Sequence, residues 1–187
     1  MPYLSDERHK SLLNLARLAV TEGVSSGELP DQIPHDGVFA EVRGVFVTLH
    51  VHGRLRGCIG VVEPNEPLGE AIVRSAVSAA LQDPRFSPMR SDELAGLQIE
   101  ISLLSPIGPI SPEAIEIGRH GLLIKLGKQH GLLLPQVAIE HHLDRERFLQ
   151  ETCLKAGLPR EAWRDPEAQI LGFTCEVFSE DQASSAN

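Results

Sequence analysis

Two runs of alternating apolar residues, Val45–Val51 and Leu55–Val61, flank the dipeptide His52-Gly53. No other feature constrains the fold of this chain as much. Period-two alternation places Val45, Val47 and Leu49 on one face of a strand and Phe46, Thr48 and His50 on the other. The second run likewise separates Leu55, Gly57, Ile59 and Val61 from Arg54, Arg56, Cys58 and Gly60. Two such runs joined at a glycine predict an antiparallel hairpin. Loop length then decides the register. A two-residue loop at His52-Gly53 sets Arg56 opposite Leu49 and mixes the faces. A three-residue loop, Val51-His52-Gly53, keeps them apart and gives Gly53 the left-handed third position. The expected register therefore opposes Leu49, Val47 and Val45 to Leu55, Gly57 and Ile59. On the other face it opposes His50, Thr48 and Phe46 to Arg54, Arg56 and Cys58.

The remaining elements follow from similar signals. Ser5 is placed to cap a helix, with Asp6 and Glu7 in its first turn and Leu12, Leu13, Ala16 and Ala19 or Val20 at helical spacing. That helix is expected to stop near Glu22, before a Gly- and Pro-rich loop over residues 23–37. Pro67 opens a second helix, whose face Leu68, Ala71, Ile72, Ser75, Ala76, Ala79 and Ala80 is small enough to approach a sheet closely; Asp83-Pro84 ends it. Ser91 or Asp92 starts a short turn. Leu97, Ile99, Ile101 and Leu103 alternate with Gln98, Glu100 and Ser102 as a strand. Pro106, Pro109 and Pro112 mark a loop, with a short helix near Glu113–Ile117. Gly121–Leu126 and His130–Leu134 predict a second hairpin around Gly127-Lys128-Gln129, ended by Pro135. A helical patch Val137–His142 follows. Asp144 then caps a helix carrying Phe148, Leu149, Cys153 and Ala156, with Gly157 at its C′ position. A last strand covers residues 168–178, and Ser179–Asn187 form a polar tail. Hairpins interspersed with separate helices predict an α+β fold with a mainly antiparallel sheet.

Composition narrows the function classes. Aromatic residues are 4% of the 187, so the core is built from branched aliphatics and alanine, and a base-stacking platform is not expected. Seventeen Lys+Arg against 26 Asp+Glu give a formal charge of −9, which opposes binding to a phosphate backbone. The length fits one domain or two small lobes. No run approaches the roughly 18 apolar residues of a membrane span. The N-terminus has no basic segment followed by an apolar one, so it is not expected to be a signal peptide. Three dispersed cysteines make no disulfide framework and point to a reducing cytoplasm. Phosphate loops, dinucleotide loops, C-x-x-C and H-E-x-x-H are absent from the sequence, so no motif implies a cofactor or a metal. A site assembled from distant His and Glu stays open.

The densest chemical constellation is Arg54, Arg56, Cys58 and Gly60, joined across the hairpin by Thr48 and His50. Guanidinium groups favour a thiolate, the nucleophilic form, and His50 is placed to act as acid or base. The alternative is a small structural Cys58. Cys153 and Cys175 lie among Leu and Phe and are expected in the core. Glu100 is either an exposed strand carboxylate or a partly buried one that pairs an arginine or works as a general base. Arg85 either anchors its loop on an acid or holds an anion. His120 and His130 flank the late hairpin, and Gln136 either caps a helix or offers its amide to a ligand.

These residues carry a resemblance. Gly44–Leu49 followed by Leu55-Arg-Gly-Cys-Ile-Gly60 resembles the signature of the AMMECR domain family, with its AmmeMemoRadiSam system protein A group. Asp83-Pro-Arg-Phe86, Ile99–Ser105, His120-Gly121, Leu132–Gln136, Lys155–Leu158 and Trp163 match in the same order, over residues 5–180, leaving a tail at 181–187. The resemblance implies an α+β protein with a larger and a smaller lobe around a cleft, close to Leu55–Gly60. It implies a component of undefined reaction in a pathway shared with a Memo-like protein and a radical-SAM protein. The chain lacks the C-x-x-x-C-x-x-C of the radical-SAM component itself. Cys58, Glu100 and His120 become catalytic candidates. Arg56, Arg85, Gln136 and His50 become candidates for holding a small anionic ligand. The alternative is a non-catalytic accessory protein that binds a ligand or a partner.

Overall fold

The computed structural model describes residues 4–180; the tail expected over 181–187 lies outside the described residues. The described residues divide into two compact units, one formed by residues 4–103 with 176–180, the other by 104–175. Each has its own hydrophobic core. The fold is α+β, and the strand pairings described below are antiparallel, as the sequence predicts.

The first unit holds helix α1 (Asp6–Ser25), strands β1 (Val45–Val51) and β2 (Arg54–Val61), helix α2 (Leu68–Leu81) and strand β3 (Leu97–Leu104). Its strand order is β2-β1-β3. Val45, Val47 and Leu49 of β1 and Ile99, Ile101 and Leu103 of β3 face the core with Leu12, Ala16, Ala19 and Val20 of α1. The small face of α2 is buried there as the spacing predicts, down to Ala79 and Ala80.

Helix α1 does not stop at Gly23. It runs on to Ser25, and the left-handed glycine is Gly27, at φ +76°. Gly23 is buried, and an added Cβ would lie 3.2 Å from Val77 Cγ2. It serves close packing on α2 rather than helix termination. Ser5 occupies the cap position, but its side chain caps nothing.

The hairpin register also differs from expectation. Val51 pairs with Arg54, so the loop is the two-residue His52-Gly53, with φ +51° and +73°. Two left-handed residues are what a tight hairpin turn of matching twist requires. His50 then pairs with Leu55, but Leu49 pairs with Gly57, and Arg56 is the extra residue of a β-bulge. The bulge removes the conflict that made a two-residue loop look impossible. Together, the shorter loop and the one-residue bulge move the rest of β2 by two from the expected register: Thr48 faces Cys58, not Arg56, and Phe46 faces Gly60, not Cys58. Leu55, expected on the apolar face, is 43% exposed.

The second unit holds strands β4 (Gly108–Pro109), β5 (His120–Leu126) and β6 (Gln129–Leu133), helices α3 (Pro135–Glu140) and α4 (Arg145–Lys155), and strand β7 (Gln169–Ser179) up to Cys175. Its strand order is β6-β5-β7, and β4 pairs with β7. The two-residue strand β4 lies inside the expected proline loop. Leu126 pairs with Gln129, so this hairpin also has a two-residue loop, Gly127-Lys128, with Gly127 at φ +59°. Helix α3 starts at Pro135, two residues before the expected patch, because proline suits the first turn of a helix. It gives way to a left-handed His142 at φ +51°. The expected helix near Glu113–Ile117 is a single 3-10 turn, Pro112–Ala114. Asp144 caps α4 as predicted, accepting from the Arg147 N–H at 2.8 Å, and Gly157 takes φ +73° after it. Phe148, Leu149 and Cys153 of α4 form the centre of this core.

Candidate functional site

The bulge at Arg56 positions the most densely connected polar cluster of the first unit. A residue squeezed out of the ladder re-aims its side chain. The Arg56 guanidinium donates from Nε to Glu93 Oε1 at 2.7 Å, from Nη2 to Glu93 Oε2 at 3.1 Å, and from Nη1 to the Ser87 carbonyl at 2.9 Å. Glu93 also accepts from the Arg90 N–H at 2.9 Å, so one carboxylate ties strand β2 to the loop that precedes β3. These bonds raise the Arg56 pKa and lower that of Glu93.

The rest of the hexapeptide is equally engaged. At Gly57 an added Cβ would run into the Ala79 carbonyl oxygen, so α2 approaches β2 to a distance only glycine permits. At Gly60 it would meet the Phe46 ring of the facing strand. Between them, the Cys58 N–H donates to Asp83 Oδ2 at 2.9 Å, and the Cys58 carbonyl accepts a longer bond, 3.4 Å, from Arg85 Nη2. Both groups of Cys58 therefore point away from β1. That makes Thr48/Cys58 a non-hydrogen-bonded pair, the kind whose side chains stand closer together. Accordingly the Thr48 hydroxyl donates to Cys58 Sγ at 3.2 Å.

Asp83 is the hub. It is 4% exposed, and its two oxygens also accept from the Arg85 N–H at 3.1 Å, Nε at 3.0 Å and Nη2 at 2.7 Å. The Arg85 guanidinium, followed by the Cys58 and Arg85 backbone N–H groups, holds the Asp83 carboxyl well below the usual carboxylate range against the opposing effect of burial. In return Asp83 raises the Arg85 pKa, with smaller contributions from Cys58. Together Asp83 and Arg85 imitate a neighbouring strand, meeting one N–H and one C=O of an edge residue.

On the partly solvated face of the sheet, Glu100 pairs with Thr48 from the β3 side. Cys58, Thr48 and Glu100 form one row across β2, β1 and β3, the outer two separated by two strand spacings, about 10 Å. His50 lies one row further along, between Leu55 and Gln98.

A profile of the AMMECR1 family matches residues 13–178, which include every residue of this cluster. The chain belongs to the AMMECR1 family. A protein of Methanothermobacter thermautotrophicus is 44% identical over 188 residues, covering 95% of this chain and 97% of that one. One of Methanopyrus kandleri is 44% identical over 189 residues, covering 96% and 91%. The crystal structure of an uncharacterized protein, PH0010, from Pyrococcus horikoshii is similar with a TM-score of 0.84 and 40% identity, covering 95% of this chain and 94% of that chain.

Within this AMMECR1 fold the candidates drawn from the sequence divide between the units. Cys58, Arg56, Arg85, Glu100 and His50 belong to the first unit; His120 and Gln136 belong to the second. His120 opens β5, and its Nδ1 accepts from the Glu116 N–H at 3.0 Å. Gln136 lies in the first turn of α3 with Oε1 buried and without a hydrogen-bond partner. The supposed arginine face beside Cys58 is corrected: Arg54 pairs with Val51 at the hairpin end, Arg56 turns to Glu93, and the arginine that reaches Cys58 is Arg85. Cys153 is fully buried, and burial pushes its thiol pKa up; Cys175 is only half-buried.

The residues that sequence reasoning passed over are Asp83 as a ligand of the Cys58 backbone, and Phe86, Ser87, Arg90 and Glu93. Asp83-Pro84 carried a signal, but one that spoke for a helix end. Nothing in the local pattern marks Glu93 as the partner of Arg56, 37 positions away. No helix is long and apolar enough to cross a membrane among the described residues.

Proposed function

We propose that this chain acts by binding rather than by catalysis, as an accessory protein. The observation that carries this reading is the commitment of the cluster around Cys58 to structure. Arg56, Gly57, Asp83, Arg85 and Glu93 each hold β2 to the helix and loop beside it. The thiol itself bonds to a hydroxyl, that of Thr48, and not to an imidazole or carboxylate able to take its proton. Glu100 stands across an intervening strand. The family resemblance adds the setting: a cytoplasmic pathway shared with a Memo-like protein and a radical-SAM protein, in which this chain presents a ligand or docks a partner. Three free cysteines fit that compartment.

Genetic complementation with Cys58→Ser tests the reading, in a host whose own copy is deleted. The variant is expected to restore function to wild-type level. A soluble Cys58→Ser protein with unchanged thermal stability that fails to complement would restore the alternative, in which the Cys58 thiolate is a nucleophile. Co-purification of the native chain, with identification of bound metabolites and proteins, tests the pathway partners.

A further inference from the structure

Arg56, Phe86, Ser87, Arg90 and Glu93 line a pocket of about 460 Å³ in the first unit. We infer that this pocket binds a small molecule through a single carboxylate group, with an apolar portion of the ligand against Phe86. The inference rests on the binding reading above and gives it a site and a ligand class.

The donors are on its wall. Of the five N–H groups of a guanidinium, Arg56 spends three on Glu93 and Ser87, leaving one on each terminal nitrogen. Its side chain is fixed by those bonds, so little conformational entropy is lost when a ligand accepts the remaining two. Arg90 is the movable partner. Its side chain is 74% exposed and pairs with Asp92, two residues away. Exposed pairs of this kind contribute little and exchange readily. A guanidinium presents parallel donors that match a planar carboxylate.

Charge selects between anions. Arg56 and Arg90 are balanced by Glu93 and Asp92, so the pocket is close to neutral before a ligand enters. One negative charge can replace Asp92 on Arg90. A phosphate dianion would instead add a second charge beside the Glu93 carboxylate. The Phe86 ring, near both the Arg56 and Arg85 guanidinium groups at 5.9 and 5.5 Å, offers the apolar wall.

Nuclear magnetic resonance titration of the full-length, isotope-labelled chain tests this, with benzoate, inorganic phosphate and benzyl alcohol as probes at constant ionic strength. Benzoate is expected to shift the Ser87, Arg90 and Glu93 amides saturably, with a Kd of roughly millimolar order for so small a ligand. Arg90→Ala should weaken it about fivefold or more, the loss of a charge-assisted hydrogen bond. Asp92→Asn, which frees Arg90, should tighten it. Phosphate and benzyl alcohol should bind more weakly than benzoate. The inference is overturned if benzoate leaves these amides unmoved, if neither variant changes its Kd, or if phosphate binds as tightly. Failure here with a complementing Cys58→Ser protein removes this pocket and leaves the binding reading intact. Benzoate binding beside a non-complementing Cys58→Ser protein does the reverse.

Discussion

Strands β2 and β3, which lie on either side of β1, each have backbone groups met by the same device in two different settings. On β2, Asp83 and Arg85 take the outward N–H and C=O of Cys58. On β3, Glu180 accepts from the Ile99 N–H at 2.9 Å, while Arg17 donates to the Leu97 carbonyl at 2.6 Å. Arg17 and Glu180 also pair in a two-bond fork, which raises the Arg17 pKa. On β2 the arginine–carboxylate pair stands where another strand would continue the ladder; on β3 it stands just past the last residue of β7, the strand that neighbours β3 in the sheet. The settings differ. Asp83 and Arg85 are two residues apart, and the carboxylate is almost fully buried while the arginine reaches solvent. Arg17 and Glu180 are 163 positions apart and both partly solvated. A pair of the first kind builds a rigid edge; one of the second kind fastens a helix and the end of a strand to a sheet already formed.

The largest effect is expected where the β2 edge has no room. Gly57→Ala sets a methyl group against the Ala79 carbonyl, and backbone cannot rotate away as a side chain can. Overpacking of this kind should cost about 3 kcal/mol, measured as a lowered midpoint in urea. Gly53→Ala in the turn has open space around its Cβ and serves as the control, since only its φ of +73° opposes the substitution. Equal losses in the two variants would show that the close approach of α2 is not what makes the β2 side special.

Next comes the buried carboxylate. Asp83→Asn keeps the shape but removes the charge that Arg85 and two backbone donors satisfy, and should cost about 2 kcal/mol at neutral pH. The Asp83 pKa is depressed by folding, so its contribution is complete above the unfolded carboxylate value of about 4 and is lost as pH falls toward the folded value. The stability gap between wild type and Asp83→Asn should therefore stay constant from neutral pH down to about 5 and narrow below about 4. A gap that does not change with pH would mean that shape, not charge, holds the edge.

How much of this was legible follows from how local each cause is. The Asp144 cap and the small face of α2 depend on residues within a few turns, and both are correct from spacing alone. The faces of β1 are correct for the same reason. The register of the hairpin was not legible, because strict period two was assumed across Arg56, and one extra residue overturns it. Gly23 misled because a glycine inside a helix and a glycine after it look alike until the partner, Val77, is known. The candidate site suffered most. Cys58 and Arg56 were named, but their partners Asp83 and Glu93 lie 25 and 37 positions away, and only tertiary packing selects them from 26 acidic residues; Arg85, which anchors its loop on Asp83 two positions away, was legible as one of its two readings.

The smallest effect belongs to the β3 side. Glu180→Gln retains an acceptor for the Ile99 N–H and removes only the charge paired with Arg17. The Arg17 and Glu180 side chains are 38% and 23% exposed, so water and salt screen much of that attraction, and the expected loss is about 1 kcal/mol or less. Ionic strength separates the two clamps. Raising salt from about 0.01 to 1 M shortens the screening length from about 30 to 3 Å, which should erase most of the Glu180→Gln effect. It should leave more of the Asp83→Asn effect, since the Asp83 side chain is only 2% exposed. If Glu180→Gln costs as much as Asp83→Asn and resists salt equally, burial is not what distinguishes the clamps. The strength would then lie in the shared geometry of a carboxylate and an arginine meeting adjacent backbone groups of one strand.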